Sequence, residues 1–155
     1  TRSYQKKFKG RFTKEGKTVL LLPETYMNRS GESVSAAASF FSLSPEEILV
    51  IHDETEIDLG TVQLKNGGGT AGHNGLKSIR EQLGSSEFSR FRIGVGRPRR
   101  GNLSSYVLSA FTPQERPLLD RVLEESARLL EDLIAGRSSA ELAKLQSGAP
   151  VKIME

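Results

Sequence analysis

The sequence predicts an α/β fold, a three-layer α/β/α arrangement around a mostly parallel or mixed central sheet. Three observations carry this expectation. Apolar runs of strand length alternate with stretches of helical periodicity along the chain. One run, Ile48-Leu-Val-Ile51, is apolar at four consecutive positions, the pattern of a strand covered on both faces. No repeat or long linker breaks the 155 residues, so they are expected to form a single domain, 1–155, with a core of its own.

Taken in order, Lys17 to Pro23 is a short apolar run stopped by proline and predicts a buried strand. Ser30 is placed to cap a helix through about Phe41, with Val34, Ala37, Ala38 and Phe41 on one face. Ser44-Pro-Glu-Glu47 is a capping box with proline at the first helical position, so one short turn precedes the strand Ile48–Asp53. Thr61-Val-Gln-Leu-Lys65 alternates, as a half-exposed strand does. A helix follows from about Asn74 to Leu83, stopped by Gly84, and Arg90 to Gly96 alternates again. Tyr106–Ser109 is a further short segment. Thr112-Pro-Gln-Glu115 opens a long helix to about Ala135, and Ser138-Ser-Ala-Glu141 caps a last short one. The tail from about Gln146 is expected to be loose.

Composition narrows the function. Zero cysteines exclude disulfides, thiolate metal sites and a thiol nucleophile. No apolar run has the length of a membrane span, and no signal-peptide pattern is present. The net charge is only +3, yet Arg2, Lys6, Lys7, Lys9, Arg11, Lys14 and Lys17 crowd the start, and Arg90, Arg92, Arg97, Arg99 and Arg100 form a second cluster. The first cluster reads equally as solvated surface or as a contact for a polyanion; the second flanks a glycine turn and reads as functional.

The richest stretch is Asn66-Gly-Gly-Gly-Thr-Ala-Gly-His-Asn-Gly75. Glycine costs chain entropy on ordering, so this density points to backbone in close approach to something. It is not a P-loop, because His73-Asn74 stand where Lys-Ser/Thr is required, and it matches a dinucleotide fingerprint only through its glycine density. Asn28 lies between a strand and a helix, where its amide either binds a substrate carbonyl or satisfies turn backbone. Asp53 ends the most apolar strand, a place for a general base, a histidine orienter, a metal ligand or an N-cap. His52 is its neighbour, but alternation sends the two side chains to opposite faces, which argues against a dyad.

Together, Leu22-Pro-Glu-Thr-Tyr-Met-Asn-Arg-Ser-Gly31, Ile51-His-Asp-Glu54, Gly67 to Ile79 and Arg90 to Pro98 resemble bacterial peptidyl-tRNA hydrolases, in order and spacing. The resemblance implies a cytoplasmic monomer that hydrolyses the ester joining peptide to tRNA, with tRNA as partner, no cofactor, no metal and no membrane. It implies that Asn28 and Asn74 hold substrate and the attacking water, that Asp53 orients a catalytic histidine, and that Tyr26 and Met27 wall the peptide channel. Lys65 and Arg92 match a basic pair that clamps the tRNA 5′-phosphate, and Arg97 adds a backbone contact. The family also carries an N-terminal strand and a Thr-Arg-His-Asn motif bearing the base, neither of which occurs here, so the chain is expected to lack its N-terminal segment. His73 matches a loop histidine of the family that is not the base. The alternative is a non-catalytic RNA-binding relative of the same fold.

Overall fold

The computed structural model describes residues 3–70, 72–96, 114 and 116–153. Arg97, Arg99, Arg100, the segment Tyr106–Ser109 and the expected helix start at Thr112-Pro113 lie outside them. The chain divides into two compact units, Thr1–Leu49 with Asn66–Ser89, and Val50–Lys65 with Arg90–Glu155.

The first unit opens with a three-stranded antiparallel sheet of order β1-β2-β3, formed by Gln5–Lys7, Gly10–Glu15 and Thr18–Pro23. The expected buried strand is thus the third strand of a meander and is only half-buried, with Leu22 44% exposed. The two strands before it were hidden in the sequence by their lysines, which pattern as solvated charge; what makes them strands is cross-strand pairing. Lys7 faces Gly10 across a two-residue turn in which Phe8 and Lys9 both take left-handed backbone, φ 57° and 54°. That is the geometry that matches strand twist, although a bulky residue there is strained. The Phe8 ring is held in return by Phe12, Phe40 and Phe41, at centroid distances of 5.2, 5.3 and 5.7 Å.

A 3₁₀ turn, Met27–Arg29, runs directly into α1, Ser30–Phe40. Ser30 is therefore not the expected cap: it is already helical, and its hydroxyl donates back to the Met27 carbonyl at 2.8 Å. The capping box Ser44–Glu47 forms as read, with the Ser44 N–H donating to the Glu47 carboxylate at 3.1 Å. This bond lowers the Glu47 pKa. Helix α2 spans Asn74–Leu83 and stops at a left-handed Gly84, as expected.

Helices α1 and α2 meet at one point of closest approach. The Gly31 N–H donates to the buried Ser78 hydroxyl at 2.8 Å, and a Cβ on Gly31 would stand well inside contact distance of the Ser78 carbonyl. Only glycine fits there.

The second unit is built on a sheet of order β4-β6-β5-β7, with β4 Leu49–Glu54, β5 Thr61–Asn66, β6 Ser89–Gly94 and β7 Val151–Lys152. The Val95 N–H donates to the Glu54 carbonyl at 3.0 Å, which sets the C-terminal ends of β4 and β6 side by side in parallel. β5 and β7 are antiparallel, so the sheet is mixed, in an α/β fold.

Two expectations change here. Ile48–Asp53 is not buried on both faces: Ile51 is 53% exposed, whereas the polar His52 and Glu54 are the buried residues of β4. Glu54 tolerates burial because it is paired, as shown below. The tail is not loose beyond Gln146. Val151 is buried opposite Val62, the Ile153 N–H donates to the Gly60 carbonyl at 2.7 Å, and the Gln63 amide donates to the Gly148 carbonyl at 2.8 Å. Two residues of strand are too short a signal to separate from coil. Helix α3, Arg116–Ala135, buries Val122, Ser126 and Leu129 at helical spacing, and α4, Ala140–Gln146, is capped by Ser139, whose hydroxyl accepts from the Leu142 N–H at 3.0 Å.

The glycine contacts give a paired expectation for urea unfolding. Gly31→Ala loses about 3 kcal/mol or more, because backbone must move to admit the methyl group. Gly69→Ala, with nothing within 4 Å of its added Cβ, stays within about 0.5 kcal/mol of the parent.

Candidate functional site

In the first unit, the 3₁₀ turn packs against the start of α2. A Cβ on Gly75 would lie 2.8 Å from the Met27 sulfur and 3.0 Å from the His73 ring. Glycine there lets Met27 rest on the helix N-terminus, and it brings the neighbours of that contact, Asn28 and Asn74, to the same end of α2. Asn28 and Asn74 are exposed, as are Met27 at 56% and Tyr26 at 81%. A site of apolar wall and amide donors at a helix N-terminus suits a carbonyl or an anion.

His73 is the N-cap of α2: its Nδ1 accepts from the Leu76 N–H at 3.3 Å, which makes that nitrogen the unprotonated one. The glycines before it serve backbone shape rather than close approach to the chain's own atoms: Gly67 and Gly68 have φ of 68° and 104°.

Beside Asn28, the Arg29 guanidinium donates to Glu32 at 2.6 and 3.1 Å, and Lys9 donates to the same carboxylate. Hydrogen bonds from Arg29, then from Lys9, hold the Glu32 pKa down at about 2. A lowered folded value means this contact contributes above the unfolded carboxylate pKa of about 4.3 and fades as pH falls through about 2.

In the second unit, Arg92 is committed to a buried network. Its Nη2 donates to Glu54 Oε1 at 2.8 Å and its Nη1 to Gln63 at 2.7 Å, while the other Glu54 oxygen accepts from the Glu56 N–H at 3.1 Å. The two charged side chains are only 15% and 7% exposed. Alternation along β5 puts the exposed Lys65 on the face of Gln63, hence of Arg92. Asp53, half-buried, points to the opposite face from Glu54 and Arg92. The His52 Nδ1 lies 2.7 Å from the Asp53 carbonyl oxygen. Among the described residues, no three His, Asp or Glu side chains are grouped to hold a metal ion, and no helix is long and apolar enough to cross a membrane.

Residues 1–152 match the family model described as peptidyl-tRNA hydrolase. The chain is 41% identical over 140 residues to the peptidyl-tRNA hydrolase of Lactobacillus helveticus (strain DPC 4571), covering 88% of this chain and 76% of that one. It is 51% identical over 118 residues to that of Mycobacterium sp. (strain KMS), covering 76% of this chain and 62% of that one. The chain belongs to the peptidyl-tRNA hydrolase family. A crystal structure of peptidyl-tRNA hydrolase from Acinetobacter baumannii superimposes with a TM-score of 0.78 at 35% identity, covering 86% of this chain and 71% of that one. The chain thus spans less than two thirds of the Mycobacterium relative and about three quarters of the Lactobacillus one. The family match begins at residue 1 and lends no support to the expected missing N-terminal segment.

For a peptidyl-tRNA hydrolase relative, the residues that sequence reading missed are the supporting ones. Glu54 and Gln63 fix Arg92, and Gly31, Ser78 and Gly75 fix the asparagine end of α2. Glu54 had a signal, an acid in an apolar strand; Ser78 and Gly75 had none, because their partners lie 47 or more residues away in the chain.

Arg92→Ala strands a buried carboxylate and is expected to lose about 3–5 kcal/mol in urea unfolding. Lys65→Ala, at an exposed side chain, is expected to leave unfolding within about 0.5 kcal/mol. The two variants therefore separate a cation that supports the fold from an exposed one that does not.

Proposed function

We propose that this chain hydrolyses the ester between peptide and tRNA in peptidyl-tRNA, as a cytoplasmic monomer without metal or cofactor. Beside membership of the family, one observation carries the reading: Met27 seated on Gly75, which sets Asn28 and Asn74 at one exposed end of α2. In this reading Tyr26 and Met27 line the path of the peptide. The amides of Asn28 and Asn74 donate to the ester carbonyl as it becomes an oxyanion and hold the attacking water. Such donors are commonly worth about 3 kcal/mol in the transition state.

Asp53 holds the imidazole that takes the water proton and stabilises the resulting imidazolium. His73 does not suit that base: its Nδ1 is already engaged in capping α2. The resemblance assigns the base to the family's Thr-Arg-His-Asn histidine, a motif that does not occur among these 155 residues. Lys65 meets the 5′-phosphate as a point charge, and Arg92, steadied by Glu54 and Gln63, offers its remaining N–H groups on the same face. Arg97 is assigned a contact with the tRNA backbone.

The test is turnover of peptidyl-tRNA by the protein. The parent is expected to release peptide, with kcat reduced about a hundredfold or more in Asn74→Ala and little change in KM. A parent that binds tRNA yet releases no peptide would overturn the reading in favour of a non-catalytic RNA-binding relative.

A further inference from the structure

The basic N-terminal run remains unused by this mechanism. Residues 3–17 hold six cations, Lys6, Lys7, Lys9, Arg11, Lys14 and Lys17, against one acid, Glu15. Two of the six are neutralised, Lys9 by Glu32 and Arg11 by Glu24. The other four meet no carboxylate among the described residues.

Two of these four are nonetheless held in place. Lys7 lies opposite Gly10, and Gly10, Phe12 and Lys14 alternate along β2, so Lys7, Phe12 and Lys14 share one face of the sheet. The Lys7 ammonium sits 3.9 Å from the Phe40 ring centroid and that of Lys14 5.7 Å from Phe41. An aromatic ring steadies a cation without cancelling its charge. The rings are themselves braced, Phe40 against Phe41 at 5.0 Å and both against Phe8 in the left-handed turn. Phe40 is still 58% exposed, and both lysines are exposed. A surface of fixed, uncompensated positive charge is complementary to a phosphate backbone.

We infer that the face carrying Lys7, Lys14 and Phe40 is a second RNA contact, which receives the phosphate backbone of a helical arm of the tRNA, apart from the site that cleaves the ester. It rests on the proposed function for the identity of the RNA. The contact is to backbone, so it adds affinity and orientation and reads no sequence. The competing explanation is that lysines on β1, a three-residue edge strand, only guard the sheet against pairing with another chain.

Deacylated tRNA is titrated against the protein at salt concentrations from about 50 to 200 mM, and turnover is read on an N-acylaminoacyl-adenosine, which has no helical arm. The double variant Lys7→Gln/Lys14→Gln is expected to bind tRNA about tenfold more weakly at low salt, with the log–log salt slope shallower by about 1 to 2. Its turnover of the adenosine ester is expected to match the parent, and Lys7→Arg/Lys14→Arg is expected to restore binding and slope. Parent-like affinity and slope in the glutamine variant would overturn the inference and leave the proposed function standing, whether or not that variant self-associates. Equal loss on tRNA and on the adenosine ester would overturn it too, since the effect would then lie at the cleavage site. A parent that binds no tRNA at low salt would overturn both readings together.

Discussion

The Gly31 amide donates to the Ser78 hydroxyl across 47 residues of chain, at a point where α1 and α2 leave no room for a side chain between them. The candidate site in the first unit depends on that contact. Helix α1 continues from the Met27–Arg29 turn without a break, so fixing Gly31 fixes the turn. The turn in turn sets the Met27 sulfur over Gly75 in the first turn of α2. Among the described residues, Asn28 and Asn74 are placed by their neighbours rather than by side-chain hydrogen bonds of their own. Two glycines and a serine thus do for two asparagines what a second layer of hydrogen bonds does elsewhere: they remove the freedom that a substrate would otherwise have to restrain.

The second unit follows a different physical rule. There, a charge rather than a close approach sets the geometry. Glu54 is buried, and burial of a carboxylate is tolerated because Arg92 and the Glu56 amide share its two oxygens. The cost of that arrangement is that Arg92 is not a freely swinging cation. Its guanidinium is fixed by Glu54 and Gln63 in the plane those partners dictate, and only its remaining N–H groups can serve a phosphate. Lys65 differs in being exposed on the same face. The pair that the sequence offers as equals is therefore unequal, one member rigid and largely compensated, the other exposed on a flexible stem.

Local signals carried much of the fold. The span of α2, its Gly84 stop and the Ser44–Glu47 capping box follow from residues adjacent in the chain, and each was readable because its physics is local. β1, β2 and β7 were not readable, since Lys-rich or two-residue strands are made by partners far away in sequence. The apolar run of β4 misled for a related reason: four apolar residues say that a strand forms, but not which face is covered, and here the polar face is the buried one. Of the candidate site, the asparagines and the histidine cap lie in motifs that stand out by composition. The ion partners of Arg92 and the seat of Met27 do not, because nothing in one sequence ties Glu54 to Arg92 or Met27 to Gly75. The glycine-rich stretch shows both sides. It borders the candidate site, yet Gly67 and Gly68 answer to backbone conformation, and the close approach falls to Gly75 and to Gly31, the latter in another motif altogether.

The claim that the α1–α2 contact builds one site from two separate asparagines is tested most directly by NMR. The protein is titrated with an amide-linked peptidyl-adenosine, which cannot be hydrolysed, while the side-chain amide signals of Asn28 and Asn74 are followed. The account predicts that both signals shift together along one binding curve. A ligand that binds while only one of the two responds, or neither, would contradict it.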